Sequence, residues 1–305
     1  MSSNFFEKLI LKIFNKRKYN QIKNKENIRR NIEFYNSHIK YKIEKISEIL
    51  NSKSKLNFVH SGHLGDIIYS LPVVKELSKK YTCNYYLKIN KKLPYYHPGH
   101  PAGNILLTKK SAEMLLPLLR KQKFINEVKI FNNENIDIDL DLFRDIPINL
   151  NFHSIRWYSH LTGTNLDMNK NYLEVGTNQK FNEKIIIVRT QRYRSPYINY
   201  KFLNTSKNLL HIGLKSEFDE LKKEINGLEF HDCKDFLEMA EIVNSAKLFV
   251  GNLNFVYSLS EALKTPRLLE ASTDFPVVFP LGEKAFDSYH QIHFEKFYTK
   301  LIKNS

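Results

Sequence analysis

The sequence of 305 residues has little cysteine and no long apolar segment. Its two cysteines, Cys83 and Cys233, lie far apart without metal-type spacing, so nothing argues for a disulfide or a zinc site. No apolar run approaches the roughly 18 residues that a transmembrane helix needs. Glu7 and Lys8 interrupt the apolar start, which lacks a signal-peptide cleavage pattern. These absences favour a globular protein of the reducing cytoplasm.

Acidic residues are scarce relative to basic ones. The chain has 47 Lys and Arg against 32 Asp and Glu, a net charge of +15. About half of the excess lies in residues 1–54, where 13 basic and 5 acidic residues give +8. A basic segment indicates an anionic partner such as a membrane or a nucleic acid. Nucleic acid is not favoured, because no helix-turn-helix, zinc finger or RNA-binding signature accompanies the charge.

Residues 4–18 predict a helix with one apolar face. Such a helix suits a membrane surface, which would make the protein peripheral to the inner face of a membrane. A helix docked on the protein's own core has the same pattern, and the sequence leaves both interpretations open. Residues 20–52 predict a second, mostly polar helix. The apolar residues of the first helix are Phe5, Phe6, Leu9, Ile10, Ile13 and Phe14.

Strand-like and helix-like runs alternate in two blocks, which is typical of α/β domains with parallel sheets. The first block begins with the strand predicted at 56–60, and the second with the buried strand predicted at 184–190. We predict a basic helical extension at 1–54, a Rossmann-like acceptor domain at 55–176 and a Rossmann-like donor domain at 177–305. The last stretch is expected to be a helix that packs back on the first domain.

The first block contains three features with local signals. Residues 111–122 predict a helix with Ser111 as its cap. The Pro- and Gly-rich segment 95–104 predicts a loop. Two histidine pairs have a spacing compatible with metal binding, but no further ligand lies near either pair in the sequence, so we predict no metal site. The pairs are His60 with His63 and His97 with His100.

The stretch HSGHLGDIIYSLP, residues 60–72, predicts a glycine-bearing turn from a strand into a helix. Gly62 and Gly65 would let a sugar or phosphate approach the backbone, and His63 could donate to a phosphate. The alternative is that the glycines only form a tight turn and that His63 is a solvent-exposed loop residue. Asp66 is the candidate general base, because a carboxylate at this turn can point towards a ligand. Capping of the helix is its alternative role.

The second block carries candidate ligands for a diphosphate. Three of the ten arginines fall within six residues at the end of the predicted strand 184–190, where α/β proteins bind ligands. Guanidinium groups suit phosphate oxygens, although a solvated basic loop would look the same. Asn252 and Asn254 would bind the donor or cap the next helix. Glu217 would hold a ribose hydroxyl or be an ordinary helix-start acid. The arginines are Arg192, Arg194 and Arg189.

Two segments resemble glycosyltransferase family 9, the ADP-heptose:lipopolysaccharide heptosyltransferase-like enzymes. SGHLGDIIYSLPVVKEL (61–77) resembles the family's opening strand, Gly-Asp turn and helix. LEMAEIVNSAKLFVGNLNFVYSLSEALKTPRLLEA (237–271) resembles its second-domain signature. The resemblance covers about residues 56–280 in the family's order. It implies an α/β GT-B fold, in which two Rossmann-like domains with parallel sheets face a cleft.

The resemblance implies a glycosyltransferase. Because the candidate cations could stabilise the leaving diphosphate, we predict an inverting, metal-independent reaction by single displacement without a cofactor. Such an enzyme moves a sugar from a nucleotide-diphosphate sugar to a glycan or lipid-linked acceptor, as in lipopolysaccharide biosynthesis, and Asp66 would be its base. The family's second-domain turn usually holds an acidic or hydroxyl residue and a glycine, whereas this chain reads GNLNF at 251–255. The sugar and the nucleotide therefore stay open. The alternative is a catalytically inactive GT-B-fold protein that binds a nucleotide or a glycan.

Overall fold

The structure is a computed structural model. It describes residues 5–93, 102–145 and 152–303. The predictions for most of the loop 95–104, including His97 and His100, fall outside the described residues. The described chain separates into two units. The smaller unit contains the residues up to Ser52 together with Arg144 and Asp145, and the larger unit contains the rest.

The smaller unit is helical. Its elements are α1 (Phe5–Phe14), α2 (Lys16–Phe34), a π-helical turn (Tyr35–Ile39) and α3 (Lys40–Ser52). Asn15 ends α1 and caps α2, since its side chain accepts a hydrogen bond from the backbone N–H of Lys18 at 3.0 Å. The polar helix predicted at 20–52 therefore begins four residues earlier and is interrupted by one wide turn.

The first part of the larger unit is a four-stranded parallel sheet with helices. Its elements are β1 (Lys55–His60), α4 (Leu64–Leu77), β2 (Thr82–Leu87), α5 (Lys109–Arg120), β3 (Glu127–Ile130), β4 (Ile138–Asp139), a 3-10 turn from Leu140 and α6 (Ser154–Thr162). The strand order is β3-β2-β1-β4. Phe58 and Val59 of β1 point to opposite faces of the sheet and are both buried, because a parallel sheet is covered on both faces.

The prediction that Ser111 caps its helix is wrong. Thr108 is the cap, and its Oγ1 accepts a hydrogen bond from the backbone N–H of Ser111 at 3.1 Å. Both residues carry a capping hydroxyl, but Thr108 has the extended backbone of a cap, with φ −79° and ψ 158°. Helix α5 therefore begins at Lys109, two residues before the predicted start.

The second part of the larger unit is a six-stranded parallel sheet. Its elements are β5 (Ile185–Val188), β6 (Leu209–Ile212), α7 (Lys215–Leu221), β7 (Glu229–His231), α8 (Phe236–Ser245), β8 (Leu248–Asn252), α9 (Phe255–Leu263), β9 (Arg267–Glu270), β10 (Ala285–Ser288) and α10 (Gln291–Lys303), with 3-10 turns at Gln179–Phe181 and Lys201–Thr205. The strand order is β10-β9-β8-β5-β6-β7. Two parallel sheets with helices confirm the predicted fold class, although the sequence did not predict β10.

The C-terminal helix α10 packs on the second sheet, so the expectation that it returns to the first domain is wrong. Phe294, Tyr298 and Leu301 recur at helical spacing and join the core that also contains Ile187 of β5 and Leu268 of β9. Strands β5 and β9 supply the apolar side chains that form this core together with the apolar face of α10. Helix α10 thus completes the second sheet's own core.

Candidate functional site

The turn between β1 and α4 holds the candidate base at the carboxyl end of the first sheet. Gly62 has a φ of +92°, and an added Cβ would lie 3.0 Å from the carbonyl oxygen of Leu106. Only glycine suits this backbone. Asp66 lies in the first turn of α4, and its Oδ2 accepts a hydrogen bond from the backbone N–H of His63 at 3.2 Å. The Asp66 side chain is only half-buried, so this contact leaves it accessible to a substrate.

A buried histidine stabilises the turn between β1 and α4. His60 is fully buried, and its Nδ1 accepts a hydrogen bond from the backbone N–H of Gly62 at 2.9 Å. Its Nε2 lies 2.9 Å from the hydroxyl of Tyr158. The sequence pattern singles out His60 only as a possible metal ligand and holds no signal for Tyr158, which follows it by 98 residues. These contacts assign His60 to positioning the glycine turn.

Helix packing brings the Asp66 turn to the start of α9. Helix α4 packs against α9, and a Cβ added at Gly65 would lie 3.8 Å from the side chain of Ser258. Ser258 follows the α9 cap, Asn254, by four residues, which is about 6 Å along a helix. The N-terminus of a helix attracts anions through its exposed N–H groups. The Asp66 carboxylate and the N-terminal end of α9 therefore lie in the same region.

The two asparagines predicted to cap α9 or bind the donor both have internal partners. Asn254 is the cap, since its Oδ1 accepts a hydrogen bond from the backbone N–H of Tyr257 at 2.9 Å. Asn252 is buried, and its side chain hydrogen-bonds to the backbone of the loop after β5. It accepts from the N–H of Thr190 at 2.9 Å and donates to the carbonyl oxygen of Arg192 at 2.6 Å. Asn252 thus fixes the loop after β5 beside the α9 cap.

Replacing Asn254 with alanine is expected to lower the free energy of unfolding by about 1 kcal/mol, because the N–H of Tyr257 loses its acceptor. The melting temperature of the variant, followed by circular dichroism, should fall by about 2–4 °C. Asn254→Ser is the matched control, since serine keeps a capping oxygen and should lose less. Equal melting temperatures for the two variants would contradict the capping role.

Arg189, the first of the three arginines, is committed to a buried ion pair. Its Nε and Nη2 donate to the two carboxylate oxygens of Glu270 at 2.7 and 2.8 Å. Nη2 also donates to the carbonyl oxygen of Ile198 at 2.8 Å, and the guanidinium lies 4.8 Å from the ring centre of Tyr200. A guanidinium engaged in this way holds the loop and has little left for a ligand.

Arg194 is engaged as well, at a more exposed position. Its Nη1 donates to Glu220 at 2.6 Å, and its Nε donates to the carbonyl oxygen of Thr190 at 2.8 Å. The first contact ties the side chain to α7, and the second draws it back over its own loop. Neither carboxylate partner could be predicted from local patterns, because Glu220 and Glu270 lie 26 and 81 residues after their arginines.

Arg192 differs from its two neighbours. Its Nε is buried, and no hydrogen-bond partner for this atom lies among the residues that the structure describes. The guanidinium lies 5.3 Å from the ring centre of Tyr193. Burial lowers the pKa of Arg192, while Tyr193 and Glu217 oppose that effect. Because buried polar atoms normally have partners, this nitrogen marks Arg192 as the arginine best placed to receive an anionic ligand.

Glu217 lies near Arg192 in the first turn of α7. Burial raises the pKa of Glu217, and a hydrogen bond from Thr190 and the charge of Arg192 oppose this shift. A half-buried carboxyl group beside a cationic side chain can accept hydrogen bonds from sugar hydroxyls. The loop after β5 and the start of α7 thus form one polar region.

A small pocket lies at the carboxyl ends of β8, β9 and β10. Its polar lining includes Glu270, Ser272, Asp287 and Tyr289, and Leu253 lines its apolar side. Leu253 falls between the two site asparagines, so the pocket adjoins the α9 cap. Open α/β sheets bind ligands at this end of their strands.

No group of three or more His, Cys, Asp or Glu that could hold a metal ion occurs within 5–93, 102–145 and 152–303. Metal independence of the reaction remains a prediction.

The fold is similar to solved glycosyltransferase structures. The glycosyl transferase family 9 protein from Veillonella parvula matches with a TM-score of 0.56 and 11% identity over 83% of this chain and 98% of that one. The E. coli heptosyltransferase WaaC with ADP also has a TM-score of 0.56, with 11% identity over 82% of this chain and 100% of that one. The iron-containing dodecameric glycosyltransferase TibC from enterotoxigenic E. coli has a TM-score of 0.51, with 12% identity over 83% of this chain and 77% of that one.

No protein-family model matches the chain, and no curated protein matches it. At 11–12% identity, the likeness to the solved structures concerns the fold. It agrees with the resemblance found in the sequence motifs: the chain has the GT-B fold of the glycosyltransferase family 9 heptosyltransferases, with highly divergent residues.

Proposed function

We propose that the protein is an inverting, metal-independent glycosyltransferase that uses a nucleotide-diphosphate sugar and no cofactor. The observation that carries the proposal is the buried Nε of Arg192, which has no hydrogen-bond partner within residues 5–93, 102–145 and 152–303 and whose loop is fixed beside the α9 cap. The Asp66 turn packs on α9, which brings a candidate base towards the same region. The acceptor is a glycan or a lipid-linked molecule, and the enzyme works in the cytoplasm at the inner face of a membrane that residues 4–18 contact.

The donor diphosphate would bind Arg192 and the N–H groups at the start of α9. Both supply positive charge where negative charge develops on the leaving diphosphate. Glu217 would accept hydrogen bonds from the ribose. Arg189, Arg194 and Asn252 act through the backbone of the loop, and their role is to position Arg192.

Asp66 would remove the proton of the acceptor hydroxyl. The acceptor oxygen then forms a bond to the anomeric carbon as the bond from that carbon to the diphosphate oxygen breaks. The electron pair of the broken bond leaves with the nucleoside diphosphate, and the proton stays on the Asp66 carboxylate. A single displacement of this kind inverts the anomeric configuration.

A thermal-shift screen against nucleoside diphosphates and their sugars tests the donor site. A ligand that binds only the native state at 100 times its Kd stabilises the protein by about 2.7 kcal/mol, which raises the melting temperature. No shift with any nucleotide in the panel would contradict the proposal. Binding without transfer or donor hydrolysis would instead indicate the inactive, ligand-binding alternative.

The variant Arg192→Gln is expected to weaken binding of the nucleoside diphosphate about tenfold to a hundredfold, because hydrogen bonds to a charged group contribute about 1.5–3 kcal/mol. Its melting temperature should change little, since the Arg192 Nε has no partner among the described residues and the interactions of the guanidinium with Tyr193 and Glu217 involve only half-buried side chains. Arg120→Gln, on an exposed position of α5, is the matched control. Isothermal titration calorimetry measures both Kd values, and equal affinity in the two variants would exclude Arg192 from the donor site.

A further inference from the structure

Helix α1 exposes a continuous apolar face. Within Phe5–Phe14, all of which the structure describes, no residue is buried. An isolated exposed apolar residue is ordinary, but a contiguous patch marks an interaction surface. The exposed fractions are Phe5 73%, Phe6 70%, Leu9 46%, Ile10 58%, Ile13 68% and Phe14 82%. Within the smaller helical unit, the described residues therefore leave this face uncovered.

The other side of α1 contacts α2. Lys8 Nζ pairs with Glu26 Oε2 at 2.7 Å, and Leu11 is half-buried. At 100° per residue, Lys8 and Leu11 lie opposite the middle of the apolar face. The six apolar side chains thus point away from α2.

The charge of the same segment selects an anionic partner. Residues 5–34 contain nine Lys and Arg against three Glu, a net charge of +6. Lys16, Arg17 and Lys18 directly follow the apolar helix and are exposed. A second copy of the chain is a poor occupant, because a two-fold dimer would bring this positive segment against itself.

The length of α1 determines how it can meet a membrane. Its ten residues span about 15 Å, half the thickness of a bilayer core. No helix in the described part of the chain is long and apolar enough to cross a membrane. An apolar face on a short basic helix instead suits the boundary between lipid headgroups and acyl chains.

We infer that α1 docks on an anionic phospholipid bilayer, with its six apolar side chains inserted at the headgroup boundary and the basic residues around Asn15 bound to lipid phosphates. The inference rests on the proposed function only in placing the acceptor beside that bilayer. The surface itself is defined by exposure and charge, and it needs no donor or acceptor to bind lipid.

Vesicle flotation with the full-length protein tests the docking. The protein is expected to bind vesicles of phosphatidylcholine with added phosphatidylglycerol at least about tenfold more tightly than vesicles of phosphatidylcholine alone, and to be released by high salt. The double variant Ile10→Gln, Ile13→Gln should bind the anionic vesicles about tenfold more weakly, because two inserted apolar side chains are lost. Ile292→Gln, at a position 74% exposed on α10, is the matched control and should bind as the wild type does.

Equal flotation of the wild type and the double variant, or no flotation, would overturn the inference. A wild-type dimer that the double variant dissociates, without vesicle binding, would assign the face to a second copy of the chain. The double variant should keep the wild-type melting temperature and nucleotide affinity. A wild type that binds vesicles but no nucleotide would contradict the proposed function and leave the membrane surface standing.

Discussion

Replacing Asp66 with asparagine is expected to reduce sugar transfer about a hundredfold to ten-thousandfold, the contribution typical of a general base. An amide cannot take the proton of the acceptor hydroxyl. Asparagine keeps an oxygen that can accept the hydrogen bond from the backbone N–H of His63, so the turn into α4 should persist. Initial rates of donor turnover should therefore fall, while the Kd for the nucleoside diphosphate stays the same.

The matched control is another acidic residue at a helix start. Asp235 caps α8, and its Oδ1 accepts a hydrogen bond from the backbone N–H of Glu238 at 2.8 Å. Asp235→Ala should cost about 1 kcal/mol of stability and leave the turnover rate unchanged. If Asp66→Asn turns over the donor at the wild-type rate, Asp66 is only a helix-start residue and the proposed base is wrong.

The variant Arg189→Met is expected to have the largest effect on stability. It would leave the carboxylate of Glu270, which is 1% exposed, without its ion-pair partner. Breaking a buried pair by removing one partner costs about 3–5 kcal/mol. The melting temperature should fall by roughly 10 °C, measured by calorimetry.

Two further variants distinguish a lost charge pair from lost packing. Arg189→Met combined with Glu270→Met removes both charges and should recover much of the stability, because no unpaired charge remains. Arg194→Met, which breaks the more exposed pair with Glu220, should cost no more than about 1 kcal/mol. An Arg189→Met variant that melts at the wild-type temperature would show that the buried pair contributes nothing to stability.

Most of the fold could be predicted from local patterns. Ile185–Val188 is an unbroken apolar run and forms a strand buried on both faces. The spacing of Ile67, Ile68, Leu71 and Val74 predicts α4, and all four side chains are buried. Strand β10 escaped prediction, because only Ser288 of its four residues is buried at the edge of the sheet.

The site was less predictable than the fold. Asn254 shows its capping role in sequence, since a cap acts on a residue three positions away. The arginines show no such difference, because their partners come from distant elements. Glu270 reaches Arg189 from the end of β9, and Glu220 reaches Arg194 from α7. Ion pairs of this kind form only when separate strands and helices pack together.

The sequence by itself determined the two α/β blocks, the glycine turn before Asp66 and the amphipathic first helix, because each depends on residues within a few positions of one another. The tertiary structure decided which of the three arginines keeps a buried nitrogen without a partner among the described residues, and that the apolar face of α1 is exposed. Both properties depend on what distant segments do or do not place against a side chain. The local spacing of apolar and polar residues does not predict that packing.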